Sequence, residues 1–205
     1  MIVTAHQVNF LPGASVMNKL AAADAVIWED ELMFSRGYEN RNRLPNGKWI
    51  TVPVEYGSVG EPLNRVRIAA KGEHGRGWQQ QMVTQIRRAW PNETAERVCR
   101  EIVRPYRQLV GLNTALLRIL CDALEIRADW HFQSHLEAGH YSEFSWERLA
   151  GMVAEVGGDV YLSGPSGRNY LREDPFDTLG IKVRYWEHEG ENPCALELVA
   201  AKVSA

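Results

Sequence analysis

The chain has 205 residues, of which 45% are hydrophobic, a size and composition that allow one well-buried core. Its formal net charge of −3 gives no overall basic field, so tight, sequence-independent binding to nucleic acid is not favoured. No apolar run approaches the roughly 20 residues that span a bilayer, and the N-terminus has no signal-peptide pattern. Three widely spaced cysteines without a CxxC pair indicate a reducing compartment. We therefore expect a soluble, cytoplasmic protein without membrane contact.

The first thirty residues alternate between apolar runs and polar segment ends. Residues 2–5 and 25–28 are short apolar runs typical of buried strands, and residues 14–23 between them are a helix candidate. Strand, helix and strand form the unit that builds a parallel sheet, which binds ligands beyond the carboxyl ends of its strands. Polar residues follow both runs at that edge: His6, Gln7, Asn9, Glu29 and Asp30. We predict that this edge is the functional site.

A second polar cluster follows in residues 36–43, where arginines and asparagines lie beside acidic residues. Asn offers both a donor and an acceptor, and Arg offers a planar fork that suits phosphate or carboxylate. The substrate-binding candidates here are Arg36, Asn40, Arg41 and Asn42. A solvated, salt-bridged loop is the alternative interpretation of the same charges.

The middle of the chain has a helical pattern over residues 76–125, in which Asn113 is a candidate helix cap. Before it, residues 63–69 alternate apolar and polar side chains and predict a half-buried strand, and the glycine-rich residues 71–77 predict a flexible loop. Further strands are predicted at residues 48–54, 128–133, 159–162 and 181–186. No internal repeat or linker is visible. We therefore predict a single α/β domain over residues 1–205, Rossmann-like, with a mostly parallel sheet and a helical segment in the middle.

Two smaller clusters lie in the second half of the chain. His135, Glu137 and His140 have the ligand types that zinc accepts, but they lack the helical His-Glu-x-x-His spacing, and we predict no metal. Residues 163–170 combine short hydroxyls, glycines and an arginine, which is a pattern for an anion-binding loop. Its candidates are Ser163, Gly164 and Tyr170. A tight structural turn is the alternative for this loop.

In their order and spacing, these segments resemble the WbqC-like family. The resemblance lies in His6 to Pro12, Lys19, Glu29 with Asp30, residues 40–54, residues 161–171, Phe176, and Gly180 with Ile181. It covers most of the chain, although the middle helices match only in pattern. Beyond Glu187 the chain departs from the family, because an Ala-rich, helix-like end replaces a segment that is usually tyrosine-containing and glutamine-bearing.

The resemblance implies a role in decorating sugars. WbqC-like proteins are associated with bacterial O-antigen and related sugar clusters, where aminoacyl decoration of amino sugars is the usual proposal, and relatives occur in natural-product and phage settings. Our first hypothesis is a transferase that attaches an amino acid or acyl group to an amine on a nucleotide-linked substrate, without a cofactor. His6, Glu29 and Asp30 would be catalytic, with His6 or Glu29 as the base, and the arginine loop would hold the phosphate.

Two alternatives stay open. The same group transfer could act on a modified DNA base, against which the net negative charge weighs. The second alternative belongs to another class of function: a non-catalytic module that scaffolds a biosynthetic complex. The expected partners of the enzyme are a nucleotide-linked small molecule and an amino-acid or acyl donor, and assembly as a homodimer is open as well.

Overall fold

The computed structural model describes residues 1–70, 77–140, 146–188 and 190–203, with side chains through residue 201. The predicted glycine-rich loop lies outside the described residues except for Gly77. The chain divides into two compact units. The first comprises Met1–Gln7, Ser15–Glu31 and Arg127–Glu191, and the second Val8–Ala14, Leu32–Ile126 and Asn192–Ala205. The single domain over residues 1–205 stays a prediction.

The elements, in chain order, are seven strands and seven α-helices in the described part of the chain. The strands are β1 (Ile2–Gln7), β2 (Ala25–Glu29), β3 (Arg41–Arg43), β4 (Trp49–Thr51), β5 (Asp129–Phe132), β6 (Val160–Ser163) and β7 (Lys182–Tyr185). The helices are α1 (Ala14–Ala21), α2 (Trp78–Ala89), α3 (Glu93–Ile102), α4 (Leu109–Ala123), α5 (Trp146–Glu155), α6 (Asp174–Thr178) and α7 (Ala195–Val203).

The first unit contains a five-stranded sheet in the order β5-β2-β1-β6-β7, with every pairing parallel. From the central β1 the chain moves outward to β2 and β5, and then crosses to β6 and β7 on the other side. The predicted α/β, Rossmann-like fold with a parallel sheet and mid-chain helices is confirmed. Because the strand order reverses between β1 and β6, their carboxyl ends flank the position at which such sheets bind ligands.

One face of this sheet packs against α5 and α6. Val3, Ala5 and Ile27 belong to a buried cluster with Val153 of α5 and Phe176 of α6. Burying a side chain of this size contributes about 1.5–3 kcal/mol, so the strands are held by packing as well as by their hydrogen bonds.

The alternation along the strands fixes which polar side chains share a face at the edge. Successive residues of a strand point to opposite faces, so Gln7 and Glu29 share the face of Ala5 and Ile27. His6 lies on the opposite face, next to its register partner Trp28. The edge therefore presents different chemistry on its two sides.

The second unit combines the antiparallel hairpin of β3 and β4 with helices α2, α3, α4 and α7. Asn92 caps α3, since its side chain accepts a hydrogen bond from the amide of Ala95 at 2.9 Å. Helix α4 buries a stripe of leucines at helical spacing: Leu109, Leu112, Leu116, Leu117 and Leu120. This stripe explains why α4 is the longest helix described.

Two predictions about this unit are wrong. Residues 63–69 form no strand but a 3-10 turn, Leu63–Arg65, followed by isolated bridges of Arg67 to Gln108 and of Ile68 to Val54. The period of two reflects an extended segment that alternates in burial without a ladder partner. Asn113 is not a cap, because it lies in the interior of α4.

Candidate functional site

The carboxyl edge of the parallel sheet presents two adjacent polar side chains. Gln7 and Glu29 are register partners at the last positions of β1 and β2, and both are partly exposed. Within the described residues, neither side chain has a hydrogen-bond partner. Polar groups at a sheet edge that the protein itself does not satisfy are available to a ligand.

Lys19 brings a buried positive charge to this edge. Its side chain is 5% exposed, and Nζ donates a hydrogen bond to the carbonyl of Ala5 at 3.0 Å. Burial lowers the pKa of the Lys19 ammonium to about 8, and the opposite charge of Glu29 resists that change. The ammonium is therefore mostly protonated at neutral pH and can release its proton at mildly alkaline pH.

Glu29 is the carboxylate whose proton affinity is tuned upward. Burial raises its pKa above the usual range, while the charges of Lys19 and Arg148 act in the opposite direction. Arg148 is a buried residue of α5. A carboxylate whose pKa is raised by burial is a stronger proton acceptor than an ordinary glutamate.

His6, in contrast, is held in its neutral form. Burial, with a smaller contribution from the charge of Lys19, lowers the pKa of the imidazole to about 3. A neutral imidazole donates or accepts a hydrogen bond but does not keep a full proton at physiological pH. Of the two predicted bases, His6 and Glu29, an imidazole with so low a pKa is the weaker proton acceptor, which favours Glu29.

Asp30 has a structural partner. Its carboxylate accepts two hydrogen bonds from Ser134, from the amide at 3.0 Å and from Oγ at 2.7 Å, and it is 4% exposed. Ser134 lies in the 3-10 turn Gln133–His135, which directly follows β5. Asp30 thus joins the ends of β2 and β5, a positioning contact that supports the edge.

The loop after β6 supplies the remaining candidates of the first unit. Ser163 is buried, and its Oγ donates to the carbonyl of Gly164 at 3.3 Å. A Cβ built at Gly164 would meet no atom of the described residues within 4 Å, so this backbone borders space that those residues leave open. Tyr170 is 61% exposed, and its ring stacks on Trp146 with the ring centroids 5.6 Å apart.

In the second unit, the predicted asparagines serve the backbone. The Asn40 side chain donates to the carbonyl of Val52 at 2.9 Å, and Asn42 donates to the carbonyl of Leu11. Leu11 has φ of 44°, an uncommon backbone for a bulky residue, and the Asn42 contact helps hold it there. Asn40 and Asn42 are both buried, as is Asn9 of the first loop.

The arginines of the same loop differ in exposure. Arg36 is exposed and has a left-handed backbone, with φ of 62°. Arg41 is partly buried, and its guanidinium lies 4.6 Å from the centroid of the Trp49 ring. The sequence predicts that a set of site residues converges on one cleft, and this convergence stays a prediction: His6, Asn9, Glu29, Asn40 and Arg41.

A model of the WbqC-like protein family matches residues 7–194. The chain belongs to the WbqC-like family. This confirms the resemblance that the sequence motifs indicated. The WbqC-like chain is also 26% identical over 194 residues to "Uncharacterized protein Rv1507c" of Mycobacterium tuberculosis (strain ATCC 25618 / H37Rv). The alignment covers 90% of this chain and 81% of that protein. No solved structure gives a significant match.

Three residues of this WbqC-like protein escaped the sequence reasoning as site residues. Lys19 enters the sequence analysis only through the family pattern, and Arg148 is not singled out there. Tyr161 was read as part of a strand, but its buried hydroxyl has a pKa raised by burial and by the charge of Glu29. The missing signal was burial, which depends on how α1, α5 and β6 pack.

Asn113 is a fourth such residue, in the second unit. Its side-chain amide donates to the carbonyls of Val8 and Glu39, both at 2.7 Å. It therefore joins the loop after β1 to the loop before β3. A polar residue on the buried face of an otherwise apolar helix was the signal that could have indicated this role.

Other chemistry has less support in this WbqC-like chain. In the described residues, no group of three His, Cys, Asp or Glu side chains is arranged to hold a metal ion, and His135 packs on Phe132 instead. Burial raises the pKa of Cys99 and Cys121 to about 11 and that of Cys194 to about 12, so these thiols stay protonated at neutral pH. No described helix is long and apolar enough to cross a membrane.

Proposed function

We propose that this WbqC-like protein is a transferase that attaches an aminoacyl or acyl group to an amine of a nucleotide-linked amino sugar. The observation that carries the proposal is the state of Glu29. Its carboxylate lies at the ligand-binding edge of a Rossmann-like sheet, has a raised pKa, and accepts no hydrogen bond from the described residues. These are the properties of a general base that awaits its substrate.

The reaction requires that a proton leave the amine as the new bond forms. The amine nitrogen attacks the carbonyl carbon of an activated donor, a carbon–nitrogen bond forms, and the carbonyl electron pair moves to oxygen. When the carbonyl re-forms, the donor's leaving group departs with its bonding electrons. The Glu29 carboxylate takes the proton from the nitrogen and later returns it to solvent or to the leaving group.

The two cations beside Glu29 suit the charge that develops in this reaction. Lys19 and Arg148 are both buried, and a positive charge in a site that excludes water stabilises an oxyanion more strongly than it would in water. We assign this stabilisation to the Lys19 ammonium. We assign His6 the role of a neutral hydrogen-bonding group, and Asp30 the positioning of the strand ends through Ser134.

Membership of the WbqC-like family supports a sugar-linked acceptor, and the net charge of −3 weighs against a long nucleic acid. We therefore favour the nucleotide-linked amino sugar over a modified DNA base. A carboxylate with a raised pKa at the sheet edge supports an enzyme over a non-catalytic scaffold.

The test is a transfer assay read by mass spectrometry. The purified protein is incubated with UDP-linked amino sugars and with acyl and aminoacyl thioesters or adenylates, and short modified DNA duplexes are tested in parallel. We expect an acceptor whose mass increases by one acyl group and a matching loss of donor. Transfer only to DNA would replace the proposed acceptor, and the absence of both transfer and ligand binding would leave the scaffold interpretation.

A further inference from the structure

One face of the β3–β4 hairpin carries charged and aromatic side chains. Asn42 and Ile50 are register partners and are buried, so they point inward. Because side chains alternate along a strand, the neighbouring residues form the opposite, outward face. The outward residues are Arg41, Arg43, Trp49 and Thr51.

Two guanidinium groups on this face converge on one ring. The guanidinium carbons of Arg41 and Arg43 lie 4.6 Å and 4.7 Å from the centroid of Trp49. Trp49 itself is 39% exposed, and the ring of Tyr38, 55% exposed, lies 5.9 Å from it. We give the name hairpin platform to Tyr38, Arg41, Arg43 and Trp49.

The positive charge of the hairpin platform is not neutralised within the part of the chain that the structure describes. Neither Arg41 nor Arg43 pairs there with a carboxylate, and the buried Nε of Arg41 has no hydrogen-bond partner. One cation over Trp49 would be enough to support the hairpin, whereas a second like charge beside it adds repulsion. An anion bound between the two groups would remove that repulsion.

The platform is also held in place from behind. The amide of Val52 donates to the carbonyl of Asn40 at 2.7 Å, and the Asn40 side chain returns a hydrogen bond at 2.9 Å. Asn42 anchors the strand through the carbonyl of Leu11. The arginines therefore project from a fixed backbone, which lowers the entropy lost when a ligand binds.

We infer that the hairpin platform binds the nucleoside diphosphate part of a nucleotide-linked ligand. Two planar guanidinium groups match a diphosphate, which has oxygens enough for two forks. The ring of Tyr38, which is 55% exposed, offers a stacking surface for a base beside the two guanidinium groups. Strands of three residues extend only about 10 Å, which fits a single nucleotide better than a nucleic-acid strand.

This inference rests on the proposed function only for its ligand class, a nucleotide-linked small molecule. It is independent of whether any acyl group moves, since it concerns equilibrium binding alone. The probes are UDP, ADP, inorganic pyrophosphate, uridine and a short single-stranded oligothymidylate, each titrated by calorimetry against the full chain.

The variants are Arg43→Lys, Arg41→Lys and Trp49→Leu, with Arg65→Lys as the control because Arg65 is an exposed arginine of the same unit that lies outside the platform. Lysine keeps the charge but loses the fork and the stacking plane. We expect UDP to bind with a Kd that each platform variant raises at least tenfold and that Arg65→Lys leaves unchanged. Trp49→Phe should recover much of the affinity, and thermal melting checks that each variant folds.

Three results would overturn the inference: no binding of either nucleoside diphosphate by the wild type, a Kd for UDP that the platform variants do not change, or tighter binding of the oligothymidylate that the same variants abolish. Acyl transfer by a protein whose UDP affinity the platform variants leave unchanged would contradict the platform and leave the proposed function intact. UDP binding that depends on Arg43 in a protein without transfer activity would support the platform and contradict the transferase.

Discussion

Lys19 on α1 donates a hydrogen bond from its buried Nζ to the backbone carbonyl of Ala5 on β1, at 3.0 Å. This contact fixes an ammonium group next to the strand end that carries His6 and, one strand away, Glu29. Burial and this single positive charge act together on the histidine, but they oppose each other on the glutamate. Burial, the larger cause at both groups, therefore moves their two pKa values in opposite directions, whereas the Lys19 charge lowers both.

Acid should destabilise the wild type more than the variant His6→Asn. In the unfolded chain His6 binds a proton near pH 6.5, whereas in the folded protein it stays neutral down to about pH 3. The free energy of unfolding therefore falls as the pH drops below 6.5, by about 2 kcal/mol between pH 7.5 and pH 5. Urea denaturation at the two pH values measures this loss, which His6→Asn should lack and the exposed-site control His140→Asn should retain. Equal losses in the wild type and His6→Asn would show that His6 is not held neutral.

Ser134→Ala should lower the stability and spare the chemistry. The substitution removes the 2.7 Å hydrogen bond to the buried Asp30 carboxylate, and the loss of such a charged contact costs about 1–3 kcal/mol. Thermal melting should show a lower Tm, while kcat/KM per folded molecule stays within about threefold of the wild type. Asp30→Asn should behave in the same way. An Asp30→Asn protein with an unchanged Tm and no turnover would make Asp30 catalytic instead.

The Gly164→Ala protein should fold normally and bind its ligand more weakly. In the described part of the chain no atom lies within 4 Å of the added Cβ, and the backbone of Gly164 has φ of −69°, which any residue adopts. The methyl group would project from the carboxyl end of β6, where a ligand of this fold approaches the backbone. We expect an unchanged Tm with a KM raised at least fivefold. The control Gly77→Ala, which also meets open space, should change neither quantity. An unchanged KM in Gly164→Ala would remove this loop from the site.

The sequence predicts the individual strands of the sheet better than the order in which they lie side by side. Apolar runs such as residues 25–28 identify strands, because a buried parallel strand is apolar on both faces. The placement of β6 beside β1 could not be predicted in this way, since it depends on a long-range choice of neighbour. The wrong strand at residues 63–69 has a related cause, because alternation reports burial on one side and not the presence of a partner.

The sequence likewise predicts only a part of the candidate site. Gln7 and Glu29 are visible because polar residues end apolar strands, and the structure makes them register partners. The environment of a side chain is not visible in the sequence. The same polarity that suggested ligand contacts for Asn42 serves the carbonyl of Leu11, and the imidazole of His6 becomes a poor base only because packing buries it.

The central claim, that Glu29 is the base of a group transfer, is tested most directly by Glu29→Gln. The amide keeps the size of the side chain but cannot take the proton, so kcat should fall by about 10²–10⁴ while the Kd for the nucleotide-linked acceptor stays within about twofold. The wild-type kcat/KM should rise with pH through a pKa above the usual glutamate range, and this limb should be absent from the residual activity of the variant. Glu147→Gln, an exposed glutamate on α5, is the matched control and should retain full activity. A Glu29→Gln protein that transfers the acyl group at the wild-type rate and with the wild-type pH profile would contradict the account.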